Sequence, residues 1–480
     1  MMFHPRPKAV VGAASRSSRP TPMNPGACRL ESARPIGTSP NVTAPGAGQL
    51  FFPQSRALGI DQGNYSPEVL KTIVYAGTQL TSFAQGSAAL EALGRLSVAT
   101  KQVERITEKI GRERVEQRDE AVQAFLALPL MDRCKSPVAN PPPESNVATV
   151  MMDGGRLQIL DRSKRDPDLN ETADCDPPER NGHWREDKIG LLLTMTSAVS
   201  VDDPCPKIPE NFIDPMRIFK LAREIKGHVK GAKDESSQPP ESESMNDAGQ
   251  NTDAATTTPK PRVRTMVATR EPAQRFGEIL AWAAWARGFA AAGRKAFVAD
   301  GASTNWTIQK QWFSDYVAIL DFIHALSYVF AASMAGQGFR AGWETYTAWI
   351  QQVWSGRVEE VIAALEVRQS ELGAPEEADG ETSPRCLVAE ALTYLRNNKD
   401  RMRYDKYRMG GLPMTSSHME STVKMFNRRV KGTEKFWSEE GAESILQLRA
   451  DHLSETEPLT AFWENRQTTA TGRRHYRRSG

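Results

Sequence analysis

The chain has 480 residues, 61 lysines and arginines against 59 aspartates and glutamates, and a net charge of +2, which fits a multi-domain protein at roughly 100–200 residues per domain. Five scattered cysteines (Cys28, Cys134, Cys175, Cys205 and Cys386), odd in number and never in C-x-x-C spacing, support neither a zinc module nor a disulfide framework and suit a reducing compartment. No apolar stretch approaches the roughly 18 residues of a membrane span, and no apolar core follows the basic N-terminal residues, so the expectation is a cytoplasmic protein that does not enter a membrane.

Residues 1–48 are rich in Pro, Ser, Gly and Arg and lack apolar periodicity, which reads as a disordered leader. Over 60–125 the pattern turns helical. Val69, Ile73, Val74 and Leu80 recur at helical spacing, then Phe83, Ala84, Leu90 and Leu93, then Val98, Val103, Ile106 and Ile110. Gly94 breaks the second run from the third, and Ser97 is placed as a cap. Two short helices joined by a tight turn, the second carrying Lys101, Arg105, Lys109 and Arg112, match either a helix-turn-helix DNA reader or a plain helical hairpin. A joint containing Pro137, Pro141, Pro142 and Pro143 closes this region.

Strand candidates follow at 147–152, 156–160 and 184–199, read as a β-meander with a polar insertion at 162–182. The low-complexity stretch 230–262 reads as a mobile interruption inside a domain, with order returning at Glu271. An apolar helix (Phe276, Ile279, Leu280, Ala283, Trp285, Phe289), a strand at 295–299, a short helix at 305–313 and a strand at 316–320 then alternate. That alternation implies parallel pairing on to the meander and an α/β architecture with a mixed sheet. Residues 323–409 read as an all-helical insertion with a polar loop at 373–384. A basic helix from Glu420 to about Arg429 and a final helix over 439–453 precede a basic tail at 456–480. The mixed-sheet domain is thus assembled from 146–322 and 410–455, with the helical insertion between. Over 394–432 ten lysines and arginines face three acids, which points to a polyanionic partner.

Three acids have distinctive settings. Asp153 ends the apolar run 147–152 and precedes Gly154 and Gly155; Asp300 ends the strand 295–299 and precedes Gly301; Glu420 opens the basic helix. Carboxylates at neighbouring strand ends, beside glycines that leave room for a ligand and with a third on a packed helix, suit an oxygen cage for two Mg²⁺, or Mn²⁺ in their place. That is the apparatus of phosphodiester chemistry. The competing reading is coincidence, since any trio can be picked from 59 acids and Asp-Gly is a common turn dipeptide. Asp321 and His324 share one face of a helix start. Asp321 fits a helix cap, and His324 fits a metal neighbour or a satisfied core histidine. The small-residue loop from Gly410 leads into a helix start suited to a phosphate. Lys424, Arg428, Arg429 and Lys431 continue from Glu420, either as a clamp on a DNA backbone or as a solvated basic face. Trp437 reads as core and Ser438 as a helix cap.

Taken together, Met152-Asp153-Gly154-Gly155-Arg156, His183-Trp184-Arg185-Glu186 with Lys188, Ala299-Asp300-Gly301, the run from Ile319 to His324 and the segment from Gly410 to Gly441 resemble the DDE transposases of bacterial insertion sequences, most closely the ISKra family, over roughly 147–465. The resemblance implies an RNase H-like catalytic core in which Asp153, Asp300 and Glu420 match the acidic triad and hold two Mg²⁺. It implies that Asp321 and His324 support that core, and that a helical DNA-binding region lies upstream. It further implies a homo-oligomer acting on double-stranded DNA, at transposon ends and target, in the bacterial cytoplasm beside the nucleoid. His418 departs from the small or aliphatic residue usual at its place, and 162–182 and 230–262 look expanded. The function expected is Mg²⁺-dependent strand cleavage at terminal inverted repeats followed by strand transfer. The rival expectations are a catalytically inactive or domesticated DNA-binding derivative of a transposase, and a structural helical scaffold with disordered arms.

Overall fold

A computed structural model gives the fold and describes residues 42–43, 49–51, 56–57, 60, 65–138, 146–160, 184–226, 258–432, 434–470 and 473–475. Two short strands, β1 (Val42–Thr43) and β2 (Gln49–Phe51), pair antiparallel with each other, and β2 pairs with β9 (Arg473–His475). A piece of the expected leader and a piece of the expected tail are therefore joined through the backbone.

The main sheet is built on β3 (Asn146–Ile159), whose first seven residues are all buried, as befits a strand covered on both faces. β4 (Trp184–Thr196) pairs antiparallel with it along nearly its whole length, and β5 (Lys260–Thr269) adds antiparallel to β4 at one edge. On the other side β6 (Arg294–Ala299) runs parallel to β3, and β7 (Val317–Leu320) parallel to β6. The order is β5-β4-β3-β6-β7, with the two-residue β8 (Phe436–Trp437) also parallel to β3. The sheet is mixed and the fold α/β. The β7 edge is covered by hydroxyls: Tyr404 and Tyr407 donate to the carbonyls of Leu320 and Ala318 at 2.9 and 3.3 Å, which blunts a surface that would otherwise template another strand.

The helices, in chain order, are α1 (Pro67–Gln79), α2 (Phe83–Gly94), α3 (Thr100–Ala127), the single turn α4 (Leu130–Arg133) and α5 (Pro215–Lys226). Two helices of the sheet domain follow, α6 (Ala273–Ala286) and α7 (Ser303–Trp312). The expected helical insertion comprises α8 (Phe322–Met334), α9 (Phe339–Trp354), α10 (Val358–Leu372), α11 (Pro384–Asn398) and α12 (Tyr404–Met409). The last three are α13 (Ser417–Val430), α14 (Glu439–Leu453) and α15 (Pro458–Thr468). Ser438 caps α14 by accepting from the Gly441 amide, and Trp437 is buried, both as expected.

Several expectations need correction. The strands read at 147–152 and 156–160 are one strand: Gly154 and Gly155 have ordinary negative φ and stay paired with Lys188 and Asp187, so the dipeptide does not turn. β5 occupies 260–269, although the sequence predicts an interruption over 230–262 and order only from Glu271. Pro261, Arg262 and Arg264 disguise it as a loop, yet Pro and charge are what an edge strand tolerates. Helix α5, unassigned in the sequence reading, buries Ile218 and Ala222 and packs on α8. The polar insertion at 162–182 and the interruption from 230 to 257 lie outside the described residues.

The N-terminal helices are not a free-standing reader. α3 is 28 residues long, begins after Ala99 with no side-chain cap rather than at Ser97, and packs along α14. Its first half places Val103, Ile106 and Ile110 in a cluster with Ile73, Val74 and Leu90, and also with Leu448 of α14 and Leu459, Phe462 and Trp463 of α15. Its last turns put Val122 and Phe125 in the main core. Two buried arginines lock this helix down. Arg114 donates Nε and Nη2 to Asp451 at 2.8 and 3.1 Å, and Arg118 pairs with Glu443 at 2.9 Å. A buried pair is poor evidence of net stabilisation, but removing one partner strands the other charge, at about 3–5 kcal/mol. Asp451→Ala is therefore expected to lower the unfolding free energy by about that amount in denaturant titrations; an unchanged midpoint would show that the Arg114 charge is solvated by other means.

Candidate active site

Along one edge β3 is paired throughout with β4, but along the other it is paired with β6 only from Val147 to Met151 and with β8 only at Gln158 and Ile159. The interval between is open. A cleft of about 1200 Å³ lies there, lined by Asp153, Gly155 and Arg156 of β3, by Asp300 after β6, and by residues of β4, α6, α7 and α13. Asp153 is thus mid-strand, not at a strand's end as expected; it sits where the β6 pairing stops. Carrying the β3/β6 register two residues past Met151 and Val298 sets Asp153 beside Asp300.

The electrostatics agree with that placement. Burial is the main cause that raises the Asp153 carboxyl to about 6; the Gly154 amide, which donates to Oδ1 at 2.7 Å, works against it, and the charge of Asp300 adds to it. Asp300 accepts at Oδ1 from the Asn305 amide at 2.7 Å and from the Ala302 backbone N–H at 3.0 Å. Its carbonyl accepts from the Tyr394 hydroxyl at 2.5 Å. Gly301 has φ +96°, and a Cβ there would meet the Tyr394 oxygen at 2.8 Å, so both conformation and space require glycine.

Asp321 and His324 form the second part of the site. Asp321 is fully buried and accepts four hydrogen bonds: Ile323 N–H at 3.1 Å, Ser416 N–H at 3.1 Å, Ser416 Oγ at 2.7 Å and the His324 Nδ1–H at 2.7 Å. It caps α8, as expected, and at the same time holds the residue from which α13 starts. His324 is drawn two ways. Burial lowers its pKa, but the hydrogen bond and charge of Asp321, backed by Asp300 and Asp153, outweigh that and raise it to about 9. Its Nδ1 is satisfied by Asp321, as a structural histidine's would be, and the charges of the neighbouring acids favour its protonated form. Its stabilising contribution is complete below the usual histidine value near 6.5 and is lost as pH rises through about 9.

Glu420 is half-buried in the first turn of α13, which packs on β3. Val423 and Asn427 of that helix, at +3 and +7 from Glu420, line the cleft, so the three share one stripe. The three acids do not close into a finished cage: among the described residues no three His, Cys, Asp or Glu side chains stand close enough to hold a metal ion. Asp153 and Asp300 by themselves fit a divalent cation. They are hard oxygen donors, and the raised carboxyl of Asp153 reflects burial first and the Asp300 charge second, both of which a cation would offset.

The basic residues divide. Lys424, Arg428 and Lys431 are exposed, and Lys431 lines the cleft with its ammonium 6.0 Å from the Trp184 ring centroid. Arg429 is 2% exposed and cannot touch DNA. Its guanidinium lies over Phe83 and Trp437, at 4.4 and 4.9 Å, and donates to the Gly77 carbonyl, tying α13 to the N-terminal helices. On α3, Lys101, Arg105 and Arg112 are exposed and Lys109 is half-buried. Three of them face acids: Lys101 with Glu104 at 2.6 Å, Lys109 with Glu113 at 4.0 Å and Arg112 with Glu440 at 3.3 Å. In the loop before α13 one of the amides that could face a phosphate is already used. Asp321 takes the Ser416 amide, while Ser197 and Arg294 bond the carbonyls of Gly411 and Gly410.

Sequence reasoning missed Asp187, Asn305, Ser416 and Tyr394. Asp187 is the most telling: it is fully buried, neither carboxyl oxygen finds a partner side chain, and burial raises it to about 6. It lies over Gly155, where a Cβ would come within 2.8 Å of its Oδ1. The available signal was alternation, since Glu186 and Lys188 line the cleft on one face of β4 and leave Asp187 on the other.

A carboxyl whose folded pKa is raised contributes stability that is complete below its usual value near 3.8 and is lost as pH rises through about 6. Asp187→Asn is therefore expected to leave stability near pH 4 unchanged and to raise it near pH 8 by about 3 kcal/mol. Denaturation midpoints taken across that range should fall less steeply for the variant than for the wild type. Parallel curves would show that the Asp187 charge is compensated in the folded chain.

In comparison with known proteins, no family model matches the chain and no curated relative matches it, so the chemistry of the site rests on its own residues.

Proposed function

We propose that this chain is a DDE-type transposase that cuts DNA strands hydrolytically and joins the freed 3′-hydroxyl to target DNA. The observation that carries the reading is the pairing of Asp153 with Asp300 at the open interval of β3, inside a cleft whose lining also includes Arg156, Lys188 and Lys431. The sheet order, with β3, β4 and β5 antiparallel and β6 and β7 parallel, supports an RNase H-like reading of the core. So does a helix packed on the central strand that carries the third acid.

Asp153 and Asp300 would hold divalent cations, with Glu420 the remaining carboxylate, and Asn305 and the Gly154 amide orient the two aspartates. Bound there, Mg²⁺ supplies polarisation of the phosphoryl oxygen and activation of the attacking oxygen. Arg156 and Lys431 offer charge to the flanking phosphates, and the exposed Lys424 and Arg428 extend that surface along α13. The partner is double-stranded DNA, and a homo-oligomer would bring two ends together. No helix among the described residues is long and apolar enough to cross a membrane.

The rival reading is a DNA-binding derivative of a transposase that no longer cuts. Nicking of supercoiled plasmid in Mg²⁺ or Mn²⁺ separates the two. The transposase reading expects nicking by the wild type and a loss of more than about a hundredfold in Asp300→Asn, since even partners behind a metal ligand are worth 10–100-fold, with binding to duplex DNA in EDTA retained. Nicking at the wild-type rate by Asp300→Asn would refute the assignment, and DNA binding without nicking at any metal concentration would favour the derivative.

A further inference from the structure

A second hollow, of about 540 Å³, opens at the β7 edge of the sheet, with Val317 and Ala318 of that strand in its lining and Arg401, Arg403 and Lys406 against a single acid, Asp400. Helix α7 forms a wall of both hollows: Thr304, Asn305 and Ile308 line the cleft and Gln309 lines the hollow. Consecutive residues of that helix serve the two. The Asn305 amide holds Asp300, whereas the Trp306 ring carries the Arg401 guanidinium at 4.4 Å from its centroid. Arg401 is fixed further by donating to the Asn397 carbonyl at 3.0 Å and to Asn398 Oδ1 at 3.3 Å, the atom that also accepts from Trp306 Nε1.

Arg403 and Lys406 differ from Arg401. Both are exposed, they are spaced i and i+3 along the start of α12, and among the described residues neither has a carboxylate at ion-pair distance. Three cations, one locked by stacking and hydrogen bonds and two free to reach, around an open hollow suit oxyanions rather than an apolar group, phosphate oxygens among them. The wall shared with the cleft makes the source of those phosphates a polymer already held next door.

We propose that this hollow is a second backbone contact for the DNA duplex whose reacting strand lies in the cleft, and that Arg401, Arg403 and Lys406 bind phosphates flanking the one that is cut. The proposal rests on the transposase reading and names a surface that the acids do not define. Its position also gives a use to the helical segment after α11, whose charge lies outside the cleft.

The test uses the full chain with Arg403→Gln and Lys406→Gln combined, after confirming that its unfolding midpoint matches the wild type. Binding to a mixed-sequence duplex of about 40 base pairs is measured in EDTA over a salt series. Losing two phosphate contacts should reduce the magnitude of the log Kobs against log salt slope by about 1.8 and weaken binding roughly tenfold near 0.1 M salt. In Mg²⁺ the DNA concentration at half-maximal nicking should rise in step. An unchanged slope in the double variant, with wild-type nicking intact, would overturn the second contact and leave the transposase reading standing. Binding of inorganic phosphate that the double variant abolishes, without a change in the DNA slope, would overturn it too, by making the hollow a free-anion site. A wild type that neither binds nor nicks DNA would remove both.

Discussion

The constraint on which the rest depends is a mismatch of strand lengths. β3 spans Asn146–Ile159, but its neighbour β6 stops at Ala299, opposite the middle of β3, and β8 resumes only at Gln158. A strand that outruns its partner leaves backbone and side chains facing space instead of a ladder. Because Asp300 directly follows the shorter strand, the boundary between paired and open β3 is where two carboxylates meet. Burial then makes their proximity matter, since the repulsion between them grows as water is withdrawn.

Around that boundary the polar groups are organised by two buried nodes. Asp321 gathers the start of α8, the start of α13 and the His324 ring on one carboxylate. Asn305 and Tyr394 hold the segment after β6. Each node fixes a chain segment whose sequence is otherwise permissive: a loop of glycines and serines before α13, and Gly301 with its left-handed backbone after β6. A buried carboxylate with four donors is stable only where all four are present, so the helix that carries Glu420 has its N-terminus set by a residue 95 positions away.

Much of this was legible. The alternation of strands and helices from 273 to 320 yielded parallel pairing and the meeting of Asp153 with Asp300, and the helical insertion, the α14 boundaries and the Ser438 cap followed from periodicity and capping residues. What escaped reading shares a physical character. β5 is an edge strand whose Pro261, Arg262 and Arg264 look like loop. Gly154 and Gly155 look like a turn because the reason for glycine at 155, the Asp187 carboxyl packed over β3, comes from another strand. Arg429 looks like a DNA contact because a cation in a basic helix is normally solvated, and only the Phe83 and Trp437 rings and the Gly77 carbonyl make its burial affordable. Local pattern reveals period and sign of charge; it does not reveal which distant group satisfies a buried atom.

The docking of α3 on α14 has a consequence for how the chain reaches this state. The Arg114–Asp451 pair joins residues 337 positions apart, and the small core beneath it draws on α1, α2 and α3 at one end of the described chain and on α14 and α15 at the other. During synthesis the three early helices emerge with one apolar face uncovered, and they keep it uncovered until α14 and α15 have left the ribosome. At about 5–20 residues per second that interval lasts tens of seconds. For that time the nascent segment is exposed to self-association, and Asp451 and Glu443, the late partners of Arg114 and Arg118, are absent. A chaperone that shelters an amphipathic helix early in translation would find its client here.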